Sequence, residues 1–310
     1  MRVTVVGSLV FDLVVWLSHF PRRGETLFPS RFETFVGGKG FNQAVTARRC
    51  GARVSMVGKV GDDPFGQAFI DALVREGIEN FVARDPAIGT SLGIPMIDPN
   101  GDNSIIGIPR ANTKLSREDV DAALPAIRGS DVLMLQLEVP LDTSQYAAHR
   151  LSEGGATVIL NPAPAHIRVD ELLPNGSPWI DWLIPNEVEA ETLTGRQVSN
   201  VAGAREAAQA LLSFGVRRGV AITMGAQGAF ALTHVGEWHV PAFPVRPVDP
   251  TGAGDAFSGA FAVALAEGQP IESALRFANA AGALCVTVAG AEPSLPRREA
   301  IERLMKEDAA

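Results

Sequence analysis

The second half of the chain alternates short apolar runs with stretches of helical periodicity, and this alternation constrains the fold more than any other feature. Strands are predicted at 131–137, 157–160, 182–184 and 219–223, and helices at 141–152, 186–193 and 202–214. Parallel strands need a crossover connection, usually a helix, and these helices then cover both faces of the sheet. The sequence therefore predicts an α/β fold with a central, mostly parallel sheet.

Two earlier regions depart from this alternation and carry closely spaced turn residues. Short β-type pieces at 13–36 are interrupted by prolines and a glycine. The region 88–110 contains an Asp-Pro-Asn-Gly turn at 98–101 between two apolar runs, which predicts a hairpin. We expect both regions to form a small β-sheet inserted in a single domain that spans residues 1–310.

The composition argues against several classes of protein. The chain has 310 residues, 46% of them hydrophobic, which suffices for one large domain. A net charge of −8 with both signs interspersed argues against a nucleic-acid surface. No uncharged run reaches membrane-spanning length, and no cleavable signal precedes the first apolar run. Cys50 and Cys285 form no metal-binding spacing, so we expect a cytoplasmic protein with reduced thiols.

The octet Pro250-Thr251-Gly252-Ala253-Gly254-Asp255-Ala256-Phe257 carries the clearest chemical signal. Its glycines stand at the start of a predicted helix, where free backbone N–H groups and the helix dipole attract anions. Asp255 falls in the first turn, where a carboxylate could take a proton from a hydroxyl that attacks a phosphoryl group. An ordinary glycine turn with an acidic residue that favours the dipole explains the octet alone equally well.

Two other glycine motifs do not meet their requirements. Phe257 stands where a dinucleotide-binding fingerprint needs its third glycine. The Gly-Lys pairs at 38–39 and 58–59 are followed by Gly40 and Val60, whereas a P-loop needs Ser or Thr at that place to reach Mg²⁺. A kinase of the P-loop class is therefore excluded.

Polar residues follow several of the predicted strands directly. Ligands of open α/β sheets bind outside the carboxyl ends of the strands, so a group of such residues indicates a binding site there. Asp12, Glu138, Asn161, Asn186 and Gly225 each come just after an apolar strand run, and Thr223 closes one. This pattern does not distinguish a kinase from another α/β enzyme.

Taken together, these motifs resemble the ribokinase (PfkB) family of carbohydrate kinases over roughly residues 3–300. The segments 37–42 and 249–257 resemble the two family signatures, 185–189 resembles an Asn-x-x-Glu motif, and 223–228 a nucleotide loop. The resemblance implies a three-layer ribokinase-like fold whose small β-sheet acts as a lid. It also implies a homodimer that forms through this lid.

The resemblance assigns roles to the residues around the acceptor. Asp255 would be the base, and the amides of Gly252, Ala253 and Gly254 would stabilise charge on the transferred phosphoryl group. Five residues would hold sugar hydroxyls, namely Asp12, Gly38, Lys39, Asn42 and Glu138. Lys39 and Asn42 could instead be solvated residues of a helix start and a helix surface.

The resemblance also implies the site for ATP and its ions. Five residues would line the ATP site, namely Asn186, Thr223, Gly225, Gly228 and Asn279. Glu189 would help to organise Mg²⁺ through water, although an exposed helix carboxylate is the alternative. A site for K⁺, expected to activate the enzyme, would use Asp249, Thr251 and Ser294, with backbone carbonyls at Cys285, Val288 and Gly290.

One position departs from the family pattern and leaves the acceptor open. Ribokinases usually carry Asn two residues before the aspartate of the first strand and loop, whereas this chain has Val10 followed by Phe11. The resemblance favours D-ribose, converted to D-ribose 5-phosphate, as the acceptor. A nucleoside such as adenosine, inosine or cytidine would fit if Phe11 faced a base, but Phe11 could equally pack the lid. A non-catalytic sugar or nucleotide sensor is a third alternative.

Overall fold

A computed structural model describes residues 1–101, 103–173, 176 and 178–308 of the chain. The strands in chain order are β1 (Arg2–Val6), β2 (Val10–Trp16), β3 (Arg31–Gly37), β4 (Arg53–Gly61), β5 (Glu79–Asp85), β6 (Ser91–Ile97), β7 (Asn103–Ile108), β8 (Val132–Leu135), β9 (Thr157–Leu160), β10 (Trp182–Leu183), β11 (Gly219–Thr223), β12 (Ala229–Thr233) and β13 (Glu237–Val240). The helices are α1 (Lys39–Arg49), α2 (Pro64–Glu76), α3 (Arg117–Ile127), α4 (Leu141–Ser152), α5 (Val169–Leu172), α6 (Glu187–Thr194), α7 (Val201–Ser213), α8 (Ala253–Ala266), α9 (Ile271–Cys285) and α10 (Arg298–Glu307).

The main sheet has nine strands in the described residues, in the order β13-β12-β11-β10-β9-β8-β1-β4-β5. From β11 to β5 all neighbours are parallel, whereas β12 and β13 add an antiparallel edge. In the middle, β1 lies between β4 and β8 with Val5 opposite Met56 on one side and Met134 on the other. The predicted mostly parallel sheet is confirmed.

Helices cover both faces of the main sheet, because successive side chains of a strand point to opposite faces. Val5 packs in a core with α1, α2, α8 and α9, and Val6 packs in a second core with α3, α4, α6 and α7. In α8 every residue from Asp255 to Ala264 is buried. Burial of Phe261, whose ring meets Trp182 edge-on at 5.2 Å, contributes roughly 2–3 kcal/mol. The three-layer fold class expected from the sequence is confirmed.

A second sheet, here called the small sheet, consists of four strands in the order β3-β2-β6-β7. Its two outer pairs are antiparallel, and β2 runs parallel to β6 in the centre. Because β2 begins at Val10, earlier than the residue 13 expected, Asp12 lies within the small sheet and not just beyond a main-sheet strand. The site is therefore built from both sheets.

Phe11 joins the small sheet to the rest of the domain. Its ring centroid lies 4.7 Å from that of Phe65 and 6.4 Å from that of Phe69, both on α2. Since side chains alternate along a strand, Val10 and Asp12 point away from α2, and both line a cavity. Phe11 therefore packs the small sheet against α2, and the interpretation that it faces a nucleoside base is wrong.

Three elements lie outside the pattern recognised in the sequence. The edge strand β5 pairs with β4 through residues 79–85, α3 follows the small sheet, and the one-turn helix α5 lies between β9 and β10. Within the described residues, no helix combines the length and the apolar character needed to cross a membrane.

Candidate active site

Two cavities open where the small sheet approaches the carboxyl edge of the main sheet. The larger, of about 880 Å³, is lined by all the residues predicted to hold sugar hydroxyls, namely Asp12, Gly38, Lys39, Asn42 and Glu138. The smaller, of about 180 Å³, is lined by Asn186, Glu189 and Thr223 from the predicted ATP site. Lys39, Gly252 and Asp255 line both cavities. The start of α8 therefore stands where the two cavities meet.

The first turn of α8 presents free backbone donors to this junction. Gly252 has a φ of 81°, a left-handed conformation that glycine adopts without strain, and no side chain caps the helix. The amide of Ala253 donates to the carbonyl of Pro250 at 3.2 Å and so closes a turn. The amides of Gly252 and Gly254 have no hydrogen-bond partner among the described residues. These two amides are therefore available to an anion.

The carboxylate of Asp255 is buried and held by two amide groups. Asn42 donates from Nδ2 to Oδ2 at 2.9 Å, and Gln43 donates from Nε2 to Oδ1 at 3.1 Å. Burial raises the pKa of Asp255, whereas the charge of Lys39 and the two amide bonds oppose this rise. A carboxylate with a raised pKa is a better proton acceptor, and its remaining lone pairs can accept from a hydroxyl in the larger cavity.

Asp12 projects into the larger cavity through a gap left by two glycines. A Cβ atom at Gly37 would lie 2.6 Å from Oδ2 of Asp12, and one at Gly93 would lie 2.2 Å from Oδ1. Burial, with a smaller effect from the charge of Glu138, raises the pKa of Asp12 to about 7. Val10, the neighbouring residue on the same face, presents only methyl groups to the cavity.

Glu138 ties the start of α1 to the end of β8. Its Oε2 accepts from Ser8 Oγ at 2.5 Å and from the amide of Lys39 at 3.2 Å, and Gly40 donates to Ser8 Oγ at 3.2 Å. Gly38, just before α1, has a φ of 87° and lies so close to β2 that a Cβ would be 2.6 Å from the amide nitrogen of Val10. A larger residue at 38 would displace the strand that carries Asp12.

Lys39 is surrounded by carboxylates. Removal from water lowers its pKa, but the charges of Asp255, Glu138 and Glu189 outweigh this effect and raise the pKa overall. The side chain therefore stays charged at the junction of the two cavities. The alternative of a solvated lysine at a helix start does not describe this position, and Asn42 is likewise buried, at 4% exposure, rather than on a helix surface.

Asn186 and Glu189 form a reciprocal cap at the start of α6. Asn186 Oδ1 accepts from the amide of Glu189 at 2.8 Å, and Glu189 Oε2 accepts from the amide of Asn186 at 2.9 Å. Glu189 is only 8% exposed, so the alternative of an exposed helix carboxylate is wrong. Burial raises its pKa, against the effects of the Asn186 amide and Lys39. Its free lone pairs and its place in the smaller cavity fit a hydrated Mg²⁺ ion.

Three residues predicted for ATP line neither of these cavities. Gly225 is exposed on the turn after β11, and Gly228 is buried with a φ of 91°, where a Cβ would lie 2.0 Å from the carbonyl oxygen of Val240. Asn279 donates to the same carbonyl at 2.9 Å and to that of Pro241 at 3.3 Å. Gly228 and Asn279 thus shape the segment after β13, and a contact of these residues with ATP stays a prediction.

The residues predicted for K⁺ converge next to the start of α8. Asp249 accepts from the amides of Thr251 at 2.9 Å and Gly290 at 2.8 Å. Cys285 Sγ lies 3.0 Å from Ser294 Oγ and donates to the carbonyl of Thr251 at 3.4 Å. Burial raises the pKa of Cys285 to about 11, so it remains a neutral thiol.

Val288, by contrast, is exposed, and its amide donates to the carbonyl of Cys285 at 3.3 Å. The side chains of Asp249 and Ser294 offer carboxylate and hydroxyl oxygens, which are the ligand type that suits a hard cation. No cluster of three or more His, Cys, Asp or Glu residues that could hold a metal occurs in the described part of the chain.

Sequence reasoning missed two buried side chains of the site. Gln43 contacts Asp255, and Ser258 lines the smaller cavity with a buried Oγ that has no partner in the described structure. Gln43 follows Asn42 in the first signature and Ser258 follows the second, so adjacency to both motifs was the available signal. Their direction could not be inferred, because it depends on the packing of α1 against α8.

A sequence profile described as pfkB family carbohydrate kinase matches residues 1–298. The chain belongs to the PfkB family of carbohydrate kinases. This confirms the family inferred from the two signatures. As a PfkB protein, the chain is a phosphotransferase that acts on an alcohol group.

Individual PfkB relatives match over almost their whole length. A ribokinase of Bacillus subtilis is 39% identical over 305 residues, which cover 98% of this chain and 99% of that protein. A deoxyribokinase of Salmonella typhi is 38% identical over 300 residues, which cover 96% and 97%. The structure of an Arabidopsis thaliana ribokinase complexed with ribose and ATP superposes with a TM-score of 0.89 at 32% identity, covering 98% of each chain.

Proposed function

We propose that this protein transfers the γ-phosphoryl group of ATP to the primary hydroxyl of a furanose sugar, with D-ribose as acceptor and D-ribose 5-phosphate as product. The observation that carries the proposal is the position of Asp255 at the junction of the two cavities, beside the free amides of α8. Ribokinases of Bacillus subtilis and Haemophilus influenzae, at 39% and 38% identity, support the choice of ribose.

The larger cavity would hold the sugar. Asp12 and Glu138 accept hydrogen bonds from its hydroxyls, and Asn42 offers a buried Oδ1 that has no partner among the described residues. Asp255 takes the proton of the primary hydroxyl as its oxygen attacks the γ-phosphorus. The bond from the bridging oxygen to the γ-phosphorus breaks, and ADP leaves with the electron pair.

The smaller cavity would hold the phosphates of ATP. The amides of Gly252 and Gly254 and the charge of Lys39 stabilise the negative charge that spreads over the transferred group. Glu189 would hold a hydrated Mg²⁺ ion in this cavity, and the ion would supply positive charge that neutralises phosphate charge. The relative complexed with ribose and ATP supports this pairing of ligands.

The small sheet would close over the sugar as a lid. It carries Val10 and Asp12 on the cavity side and is joined to α2 through Phe11, so movement of the sheet would carry part of the sugar site with it. Closure excludes water and so limits hydrolysis of ATP.

We further propose that the enzyme is a homodimer formed through this sheet and that K⁺ activates it. We place it in the cytoplasm, where its free cysteines stay reduced.

The variant Asp255→Asn tests the proposal. It keeps the shape of the side chain but cannot act as a base, so we expect the rate of phosphoryl transfer to ribose to fall by roughly 10²–10⁴-fold or more. ATP affinity measured by calorimetry should change little. Asp62→Asn, which alters a 62% exposed carboxylate paired with Arg84, is the matched control and should keep the full rate. A normal rate in Asp255→Asn would disprove the proposed chemistry.

A second candidate acceptor is 2-deoxyribose. Val10 removes one polar group from the wall of the sugar cavity, which weakens discrimination against a sugar with one hydroxyl fewer. The 38% identical deoxyribokinase of Salmonella typhi supports this candidate. A nucleoside is disfavoured because Phe11, the residue that would have stacked on a base, contacts α2. A sensor has no need of a base beside free helix amides.

The variant Val10→Asn distinguishes the two sugars. A restored amide should raise the ratio of kcat/KM for ribose to that for 2-deoxyribose by roughly fivefold or more, corresponding to ~1 kcal/mol for one hydrogen bond. Val10→Leu, which stays apolar, should leave the ratio unchanged. If the ratio of Val10→Asn equals that of the original protein, Val10 does not govern the choice of sugar.

A further inference from the structure

A chain of three buried amide side chains stands behind Asp255. Gln136 follows β8, Gln43 lies in α1, and Asn161 follows β9; their exposures are 0%, 0% and 7%. Gln43 is the central member, because it contacts both of the other amides and Asp255. Gln43 and Gln136 line neither of the two cavities, so they are placed to act on Asp255 and not on a substrate.

The hydrogen bonds of Gln43 allow only one direction of its amide. Nε2 donates to Asp255 Oδ1 at 3.1 Å and to Asn161 Oδ1 at 3.2 Å, while Oε1 accepts from Gln136 Nε2 at 2.7 Å. A flipped amide would turn its oxygen towards two acceptors and its nitrogen towards a donor. Asn161 is fixed in turn, because its Nδ2 donates to the carbonyl of Ile184 at 2.8 Å.

Gln136 fixes the direction of the Gln43 amide through one hydrogen bond, but the oxygen of its own amide is left without a partner in the described structure. Its Oε1 is buried and has no partner in the described structure, although buried acceptors are normally paired. The oxygen occupies space left by Gly7, where a Cβ would lie only 1.9 Å away. An unpaired buried acceptor is unfavourable, and apolar residues of the same shape would avoid it. The arrangement therefore calls for an explanation beyond stability.

We propose that Gln43 is a positioning residue that fixes the direction of the Asp255 carboxylate, and that Gln136 acts through Gln43 by fixing its amide. The inference rests on the proposed function of Asp255 as the base. Asn42 holds the other carboxylate oxygen at 2.9 Å, so the two amides together prevent rotation of the group. A base held in this way keeps a free lone pair directed at the sugar hydroxyl without reorganisation during the reaction.

The variants Gln43→Met and Gln136→Met test this proposal, because methionine has nearly the shape of glutamine but no amide. We expect Gln43→Met to lower kcat by about tenfold to hundredfold, the effect of removing a hydrogen bond to a charged group. The KM for the sugar should change less than about threefold, since Gln43 does not line the sugar cavity. Gln136→Met should lower kcat by a smaller factor, since Gln43 keeps its amide.

A double variant shows whether Gln136 acts through Gln43. In a Gln43→Met background, the change Gln136→Met should have no further effect on kcat, whereas independent effects would multiply. Thr4→Val is the matched control, because it removes a buried hydrogen bond of 2.7 Å between Thr4, in the middle of β1, and Ser130 Oγ. It should lower stability and leave kcat unchanged.

The pH dependence gives a readout that a purely structural role would not move. Because the Gln43 amide bond lowers the pKa of Asp255, its loss should shift the acidic limb of kcat to higher pH. The other charged or titratable groups facing Asp255 are Lys39, Glu189 and Cys285, and both variants retain them. Carbon-13 NMR of labelled aspartate carboxyls, with Asp255→Asn to assign the signal, should show the same shift without any turnover.

The outcomes separate this inference from the proposed function. If the original protein does not phosphorylate any sugar, the proposed function fails, and the NMR titration still decides whether Gln43 acts on Asp255. If the original protein is active but Gln43→Met and Gln136→Met keep kcat, the acidic limb and the NMR titration unchanged, the positioning role is overturned. If Gln43→Met does not fold, the same three measurements on Gln136→Met decide the outcome.

Discussion

At the scale of single residues, the site is built from carboxylates removed from water. Asp12, Glu189 and Asp255 all have raised pKa values, in each case chiefly because burial disfavours the charged form. Such burial reduces the stability of the fold but leaves acceptors that a sugar or a hydrated cation can satisfy. Perturbed carboxylates in a cavity are therefore a sign of function here rather than of structure.

The stability cost of burying a carboxylate can be measured for Asp12 through the pH dependence of unfolding. The ordinary pKa of an aspartate side chain is 3.8, whereas the pKa of Asp12 in the folded protein is about 7. Between these pH values the folded protein binds more protons than the unfolded chain, so the free energy of unfolding falls as the pH rises. Asp12→Asn should remove this loss and stabilise the sugar-free protein at pH 8 by on the order of 2–4 kcal/mol.

Denaturant unfolding of the sugar-free protein at several pH values from 4 to 8 checks this prediction. The difference between Asp12→Asn and the original protein should grow with pH, whereas Asp62→Asn, on the surface, should show no such trend. A constant difference across this range would show that burial does not perturb Asp12. The stabilised variant should bind ribose more weakly, because it has lost a charged acceptor.

At the scale of elements, the small sheet lines a cavity with one surface and also exposes apolar side chains to solvent. One surface contributes Val10 and Asp12 to the larger cavity. The same sheet also exposes large apolar side chains to solvent, with Phe32 at 55% and Ile106 at 50% exposure, and Phe28 before β3 at 90%. Several large apolar side chains exposed on one sheet are typical of a contact surface. These residues support the proposed homodimer.

Sedimentation over a range of concentrations tests the dimer. The original protein should sediment as a dimer, and the double variant Phe32→Asp with Ile106→Asp should sediment as a monomer, because two buried charges would stand in the interface. Val235→Asp, at a 92% exposed valine on the turn between β12 and β13, is the matched control and should remain dimeric. A monomer at every concentration in the original protein would contradict the proposal.

At the scale of the whole molecule, the chain's late segments are fixed to its first helix. Arg49, in α1, donates to the carbonyls of Glu292 at 2.9 Å and Leu295 at 2.7 Å and pairs with the carboxylate of Glu76 at 2.6 Å. The segment that carries Ser294 is thereby held against the helix that carries Lys39 and Gln43. The residues predicted for K⁺ come from two segments, 249–251 and 285–294, which meet next to the start of α8.

K⁺ should therefore act on the enzyme through the start of α8. We expect a several-fold higher rate in K⁺ than in Na⁺ or in a K⁺-free buffer of equal ionic strength. K⁺ should also raise the unfolding temperature, since a ligand that binds only the folded state stabilises it. Asp249→Asn should abolish both effects, because the carboxylate that holds the Thr251 and Gly290 amides loses its charge. Equal rates and unfolding temperatures in all buffers would disprove the cation site.

The sequence by itself determined the fold class, the family and the position of Asp255 in the first turn of a helix. Regular alternation of strands and helices has few solutions other than a covered parallel sheet, and glycines before a helix with Asp255 in its first turn define a local geometry. The sequence also held unused local signals, such as Ser116 and Asp119, which form the capping box of α3. These features could be predicted because they depend on neighbours along the chain.

Only the tertiary structure decided what each side chain faces. It placed Phe11 against α2, buried Glu189 in a cavity, brought Asn42 and Gln43 onto Asp255, and moved Asn279 to the backbone after β13. The physical reason is that the direction of a side chain depends on contacts between segments that are far apart in sequence. Asn42 and Asp255, for example, are separated by 213 positions. Local patterns carry no information about such contacts.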